Sequence, residues 1–170
     1  INRNVNDAAL FASKTNMQAC KFVADIFDNK GPLAGIHAAL QSYATPTLFV
    51  PVDQPMLSEV LLDKLIKHGL DSAQNYRYCL GDPNIKPCGR RSDDAKQPYF
   101  PLIVFDHQKD LQIVLNKLND HDSMEKKDLS IQSFHEELGV NMIAHESSLE
   151  FMNINQQDEY HELLKLVSQK

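Results

Sequence analysis

Hydrophobic positions along the chain fall either in short continuous runs or at helical spacing. Lys21-Phe22-Val23-Ala24-Asp25 reads as a short apolar strand that ends on a carboxylate. Asp28-Asn29-Lys30-Gly31-Pro32 is turn chemistry, with Pro32 suited to the first turn of a helix. Leu33, Ile36, His37 and Leu40 then recur at i, i+3, i+4 and i+7, which predicts a helix with one apolar face. Thr47-Leu48-Phe49-Val50-Pro51-Val52 is a nearly continuous apolar run closed by Asp53-Gln54-Pro55. Such runs suit a strand buried on both faces, as in a parallel sheet covered by helices.

The same reading continues downstream. Leu57, Val60, Leu61 and Leu65 predict a helix that stops near His68-Gly69, and residues 76–80 predict a strand. Residues 81–97, rich in Pro, Gly and charge, read as a loop. Residues 101–105 form another buried-strand pattern, and Leu111, Val114, Leu115 and Leu118 another helix. Residues 121–127 are a charged connection, followed by a short helix over 130–138 and a strand over 141–145. Phe151-Met152-Asn153-Ile154-Asn155 leads into a last helix carrying Tyr160, Leu163, Leu164 and Val167. Asn155 is a natural N-cap for that helix, with Asp158 and Glu159 in its first turn suiting the dipole. Strands alternating with helices predict an α/β chain, folded as a three-layer α/β/α sandwich.

Composition narrows the function. With 170 residues, 42% apolar and 24% charged, the chain is one domain's worth of an ordinary globular protein. A net charge of −6, from 23 acidic against 17 basic residues, argues against a general nucleic-acid binder, which needs a basic face. A site for one small anionic ligand is still allowed. No apolar run is long enough to cross a bilayer, and nothing resembles a signal peptide. Cys20, Cys79 and Cys88 lack metal-ligand spacing, so reduced thiols and a cytoplasmic location are the economical expectation. Ile1-Asn2-Arg3-Asn4 reads as the end of a strand running into a loop, without an initiator Met, so the chain is expected to begin mid-fold.

Ligands of open α/β sheets sit at the carboxyl ends of strands, which directs attention to polar residues that follow apolar runs. These are Asp25, Asp53 and the pair Asn153 and Asn155. Asp53 is the ligand type a hard cation such as Mg²⁺ takes, through one or two carboxylates plus phosphates; an Asp capping the turn before Pro55 explains it equally well. Gly31-Pro32-Leu33-Ala34-Gly35 could let backbone N–H groups approach an anion at a helix start. On spacing alone, a tight turn with Gly35 packed against the sheet is the simpler account. Asn153 and Asn155 alternate along an extended stretch, so both point to one side, toward a ligand or toward structural partners. The histidines carry no signal: His37 reads as a packing residue, and His68, His121 and His161 as surface residues. No Ser-His-Asp or Cys-His arrangement stands out.

Weak singly, these features are specific in their order. A strand ending in Asp25, then Gly31–Gly35 as GPLAG, a strand closed by Asp53-Gln54-Pro55 and a terminal Asn153-Ile154-Asn155 before a helix resemble the molybdenum cofactor guanylyltransferase (MobA) family. Asn2-Arg3 and Gln97-Pro98 resemble its Asn-Arg and [HQ]-P motifs. The resemblance implies a Rossmann-like, mostly parallel sheet of the nucleotide-diphospho-sugar transferase type, in a single domain over residues 1–170. It implies transfer of GMP from GTP to molybdopterin with release of pyrophosphate, and molybdoenzymes or cofactor-delivery proteins as recipients. Asp53 would be the catalytic residue that holds Mg²⁺ and Asp25 would contact the nucleotide. Gly31, Pro32, Leu33 and Gly35 would line the nucleotide cleft, and Asn153 and Asn155 would bind the acceptor.

The family's signature L-A-G-G-x-S-x-R-M-G-x-D-K is not in the chain, so the expected domain lacks its N-terminal strands and phosphate loop. Where the family has an Arg before its S-I-x-x-F-like segment, Lys126-Lys127 precedes Asp128-Leu129-Ser130-Ile131. A lysine supplies a point charge but not bidentate phosphate binding. The alternatives are a cytidylyltransferase, a sugar-nucleotide synthase, or a non-catalytic nucleotide-binding module of the same fold. A glycosyltransferase fits less well, since Pro55 stands where Asp-x-Asp needs its second Asp.

Overall fold

A computed structural model describes residues 23–80, 98–119, 129–146 and 149–167. The expectations for residues 1–4, for Lys21-Phe22, for Cys20 and Cys88, for the 81–97 loop and for the 121–127 connection lie outside the described residues. So do those for Gln97 and Lys126-Lys127. Along the chain come α1 (Pro32–Ser42), β1 (Thr47–Phe49), α2 (Glu59–Ser72), β2 (Tyr76–Leu80) and β3 (Leu102–Val104). Then follow α3 (His107–Asn119), α4 (Ile131–Leu138), β4 (Asn141–His145), a 3₁₀ turn at Leu149–Phe151 and α5 (Gln157–Val167). Two compact units emerge. One takes its described residues from Ile1–Thr47, Ala73–Asn75 and Val104–Val140, the other from Leu48–Ser72, Tyr76–Ile103 and Asn141–Lys170.

The first unit packs α1 on α3 and α3 on α4. The helix predicted from Leu33, Ile36, His37 and Leu40 is α1, but Ala34, Gly35, Ala38 and Ala39 are buried as well. Small residues between the large ones let this helix be enclosed on all sides, where the spacing predicts a single apolar stripe. Helix α3 is capped by Asp106, whose carboxylate accepts the Lys109 N–H at 3.2 Å. The His107 Nε2 contacts the Leu40 carbonyl at the C-terminal end of α1. Ser130 caps α4 through the Ser133 N–H, and Gly139, left-handed at φ 64°, closes its other end. Lys117 is buried on α3 and reaches α4 through Ser133 Oγ (2.8 Å) and Glu137 (2.5 Å).

The second unit carries all but the end residues Thr47 and Val104 of a four-stranded sheet, ordered β1-β3-β2-β4. Strand β2 runs parallel to β4 and antiparallel to β3. The sheet is therefore mixed, whereas the resemblance implies a mostly parallel one. Burial sets how apolar a strand is, but not its direction, so the run at 101–105 could not reveal its antiparallel pairing. Among the described residues β1 lies at one end of the order and stops at Phe49. Pro51 cannot donate to a ladder, and Val50 and Val52 are exposed, Val52 completely. The expectation of a doubly buried strand running to Val52 is corrected on both counts. Residues 23–25 carry no strand either; the described segment from Ile26 is bend and turn.

The core of this unit is Leu61, Leu65, Tyr78, Ile103 and Phe151, with Leu48, Leu57, Ile66 and Ile143 packed against it. The Tyr78 hydroxyl donates to the Leu61 carbonyl at 2.8 Å, so the one polar atom of that ring is satisfied. Gly69 does not stop α2, which continues to Ser72. It is a contact: a Cβ there would lie 3.0 Å from Ile103 Cδ1. Ser58 caps this helix by accepting the Leu61 N–H at 3.3 Å.

In the first unit Asp110, on the first turn of α3, is completely buried. Neither of its oxygens meets a partner at hydrogen-bonding geometry among the described residues. Burial pushes its pKa up to about 6, opposed by the facing Asn75 side chain, with Asp106 adding to the rise and Lys109 reducing it. The folded state therefore binds this proton more tightly than the unfolded chain, and the carboxylate lowers stability at all pH values above about 6. The effect fades as pH falls from there toward 3.8, the ordinary value. Asp110→Asn should raise the unfolding free energy at pH 7.5 by roughly 1–3 kcal/mol in urea denaturation. The gap should close near pH 4, and an equal gap at both pH values would contradict this origin.

Candidate functional site

In the first unit, Asp25 opens the turn that leads into α1. Asn29 (φ 58°) and Gly31 (φ 64°) are both left-handed and swing the chain into the helix. Gly31, at ψ −152°, occupies a region essentially reserved for glycine. Asp25, Phe27, Asp28, Asn29, Lys30 and Gly31 line a hollow of about 220 Å³. That is smaller than a whole-nucleotide pocket and suits one moiety of a ligand. One Asp25 carboxylate oxygen is buried here without a hydrogen-bond partner among the described residues.

The GPLAG helix start offers fewer backbone donors than its glycines imply. Pro32 has no N–H, and the Ala34 N–H turns back to the Gly31 carbonyl at 3.2 Å. Leu33 and Gly35 are buried inside α1. The segment's main effect is to shape the turn beside Asp25. His37, one helical turn further, is buried edge-on to Phe27 with 4.9 Å between ring centroids, and burial lowers its pKa. It is a packing residue.

In the second unit the structure joins two segments that are far apart in sequence. Asp53 sits in the turn after β1, half-buried, and its carboxylate has no hydrogen bond or ion pair among the described residues. Its carbonyl accepts the Ile154 N–H at 2.7 Å. Next to it the buried Gln54 donates from Nε2 to Asn153 Oδ1 at 2.8 Å, across 99 positions of sequence. The Gln54 Oε1 is buried with no partner among the described residues. Ser58, at the end of the same turn, donates to Glu150 at 2.9 Å. The turn holding Asp53 and the stretch holding the exposed Asn153 are thus joined by a backbone and a side-chain hydrogen bond.

Residues 3–88 match the MobA-like NTP transferase domain. The chain belongs to this family. Its members' domain type makes the chain a nucleotidyltransferase domain with a nucleoside triphosphate as substrate. No curated protein sequence matches the chain. The family match covers Asp25, Gly31–Gly35 and Asp53, while Asn153 and Asn155 lie beyond it. No helix among the described residues is long and apolar enough to cross a membrane.

Asn155 differs from its expected role in the NTP transferase chain. Helix α5 begins at Gln157, and Glu159 accepts the Asn155 N–H (2.6 Å) and the Gln156 N–H (3.0 Å). The carboxylate three residues into the helix closes its start, as in half of a capping box. The exposed Asn155 side chain is not the cap. Residues that the spacing did not single out are Gln54, Ser58, His145 and Glu150. Ser58 was legible as a Ser preceding a helix; the others gain their partners only through the tertiary fold.

Among the described residues no three His, Cys, Asp or Glu side chains gather around a common point. The described residues therefore do not by themselves make a protein-built metal cage. One free carboxylate at Asp53 fits a hard cation that arrives with a nucleotide's phosphates. Glu159→Ala should cost about 1 kcal/mol of stability, and Asn155→Ala less than ~0.5 kcal/mol. Equilibrium unfolding of the two variants checks this, and the reverse order would restore Asn155 as the cap.

Proposed function

We propose that this domain transfers GMP from GTP to the terminal phosphate of molybdopterin, yielding the guanine dinucleotide form of the cofactor and pyrophosphate. Membership of the MobA-like NTP transferase family supplies the reaction type. The ordered motifs at Asp25, Gly31–Gly35, Asp53-Gln54-Pro55 and Asn153-Ile154-Asn155 support the guanylyl and pterin specificity by resemblance. The observation that carries the reading is the joining of the Asp53 turn to the Asn153 stretch through the Ile154–Asp53 backbone and Gln54–Asn153 side-chain hydrogen bonds, while the Asp53 carboxylate has no partner among the described residues. The finer fold of the resemblance, a Rossmann-like three-layer sandwich, belongs to the same proposal, as does a cytoplasmic location.

The reaction is an in-line displacement. A phosphate oxygen of molybdopterin attacks the α-phosphorus of GTP, a new P–O bond forms, and the bond to the pyrophosphate oxygen breaks. The attacking oxygen is already anionic, so no side-chain nucleophile or base is needed. Positioning and charge stabilisation provide the catalysis. Asp53 would hold Mg²⁺, which when bound supplies positive charge at the phosphates. Asp25, which lines the hollow and has one carboxylate oxygen without a partner among the described residues, would accept N–H donors of the base. Gly31, Pro32, Leu33 and Gly35 would shape that pocket. Asn153 would present its amide to the acceptor, with its orientation fixed by Gln54, and Asn155 would contribute from the same stretch.

Asp53→Asn in the complete protein should lower kcat by about 10²-fold or more with little change in thermal stability, because the carboxylate has no partner among the described residues. Pyrophosphate release from GTP or CTP with molybdopterin as acceptor, and from UTP with glucose 1-phosphate as acceptor, separates the guanylyl reading from its relatives. Unchanged Mg²⁺-dependent turnover in Asp53→Asn would sink the metal assignment, and preference for CTP would move the protein to cytidylyl transfer.

A further inference from the structure

Glu150 occupies a junction that the proposed chemistry does not use. It lies in the 3₁₀ turn Leu149–Phe151, three residues before Asn153, and its side chain is 25% exposed. One carboxylate oxygen accepts the Ser58 hydroxyl at 2.9 Å. The other lies 2.5 Å from His145 Nε2 at the end of β4. A carboxylate can only accept, so the His145 ring nitrogen facing it carries the proton. Ser58 uses its hydroxyl hydrogen toward Glu150 and an oxygen lone pair toward the Leu61 N–H, so cap and link do not compete. His145 is fixed in turn by edge-on contacts with Tyr78 (5.6 Å) and Phe151 (5.3 Å).

The consequence is mechanical. The Asp53 turn begins at the Asp53–Ile154 hydrogen bond and ends at Ser58, the cap of α2. That bond and the neighbouring Gln54–Asn153 bond both hold the start of the turn and leave its far end free to swing; a second tie at the far end removes that freedom. Glu150 supplies that second tie and anchors it to the sheet through His145. Charge-assisted hydrogen bonds at both oxygens make it stronger than a neutral link.

We propose that Glu150 is a positioning residue that holds the Asp53 turn in register with Asn153, by bridging Ser58 to His145. Its effect on turnover rests on the reading of Asp53 as the metal-holding carboxylate; the brace itself does not.

Amide hydrogen exchange in the intact protein reads the brace without needing turnover. In Glu150→Ala, the Ile154 and Leu57 N–H groups should exchange about tenfold faster than in wild type, while the amides of α1 stay unchanged. Glu150→Gln keeps an acceptor for Ser58 and an amide group facing His145, and should remain within about threefold. Ser58→Asn, which retains a cap acceptor and a donor toward Glu150, should also be close to wild type, and Ser58→Ala should not. In the transfer assay Glu150→Ala should raise the Mg²⁺ concentration needed for half-maximal rate about tenfold, and Gln should restore it. Wild-type exchange at Ile154 in Glu150→Ala, or an effect that Gln fails to rescue, would overturn the proposal. If wild-type protein shows no Mg²⁺-dependent transfer, the metal reading falls while the exchange data still decide whether Glu150 is the brace.

Discussion

The hydrogen bond from the Ile154 N–H to the Asp53 carbonyl fixes where the candidate chemistry can occur. It closes the turn after β1 against a stretch almost at the other end of the chain, at 2.7 Å. Gln54 reinforces it sideways through Asn153, and Ser58 through Glu150. The contacts share one logic: the turn's backbone and uncharged side chains serve as structural attachments, while the Asp53 carboxylate is left out of all of them. A carboxylate without a partner among the described residues, on a turn held from both ends, is available to a ligand at no loss of the contacts described.

Unmet polar groups mark the rest of the molecule's strain. Native proteins leave few buried donors and acceptors unpaired, so each exception has a cause. Among the described residues, the unmet Asp25 oxygen belongs to a residue that lines a hollow and the unmet Gln54 Oε1 to the turn after β1, both in segments that the family match includes. Asp110 is different: it sits in the helical packing of the first unit, where burial holds its carboxyl at a pKa of about 6. The first two are expected where a ligand completes a site. Asp110 lowers the stability of the empty fold instead.

Much of the secondary structure was legible because its limits are written locally. Tyr76–Leu80 and Asn141–His145 are strands at the expected residues, the first preceded by the polar Gln74-Asn75 and the second by the Gly139 cap of α4. α1 starts at Pro32 because a proline at that position loses nothing. Features that depend on distant partners were not legible. The exposure of Val50 and Val52 follows from where β1 ends, and the antiparallel β3 follows from pairing, neither of which an apolar run encodes. Of the candidate site, Asp53 and Asn153 could be nominated by position after apolar runs. Their meeting could not, because Gln54, Glu150 and His145 carry no spacing signal before folding.

The central claim is that the Asp53 turn receives a metal-bound nucleotide next to the Asn153 stretch, which takes the acceptor. Paramagnetic broadening measures this most directly, with Mn²⁺ in place of Mg²⁺ and a non-hydrolysable GTP analogue added to isotope-labelled complete protein. The amide signals of Asp53 and Gln54 should broaden first, followed by Asn153 and Ile154, and Asp53→Asn should abolish the effect. Broadening that spares Asp53 and Gln54 while appearing elsewhere, or that persists unchanged in Asp53→Asn, would contradict the account.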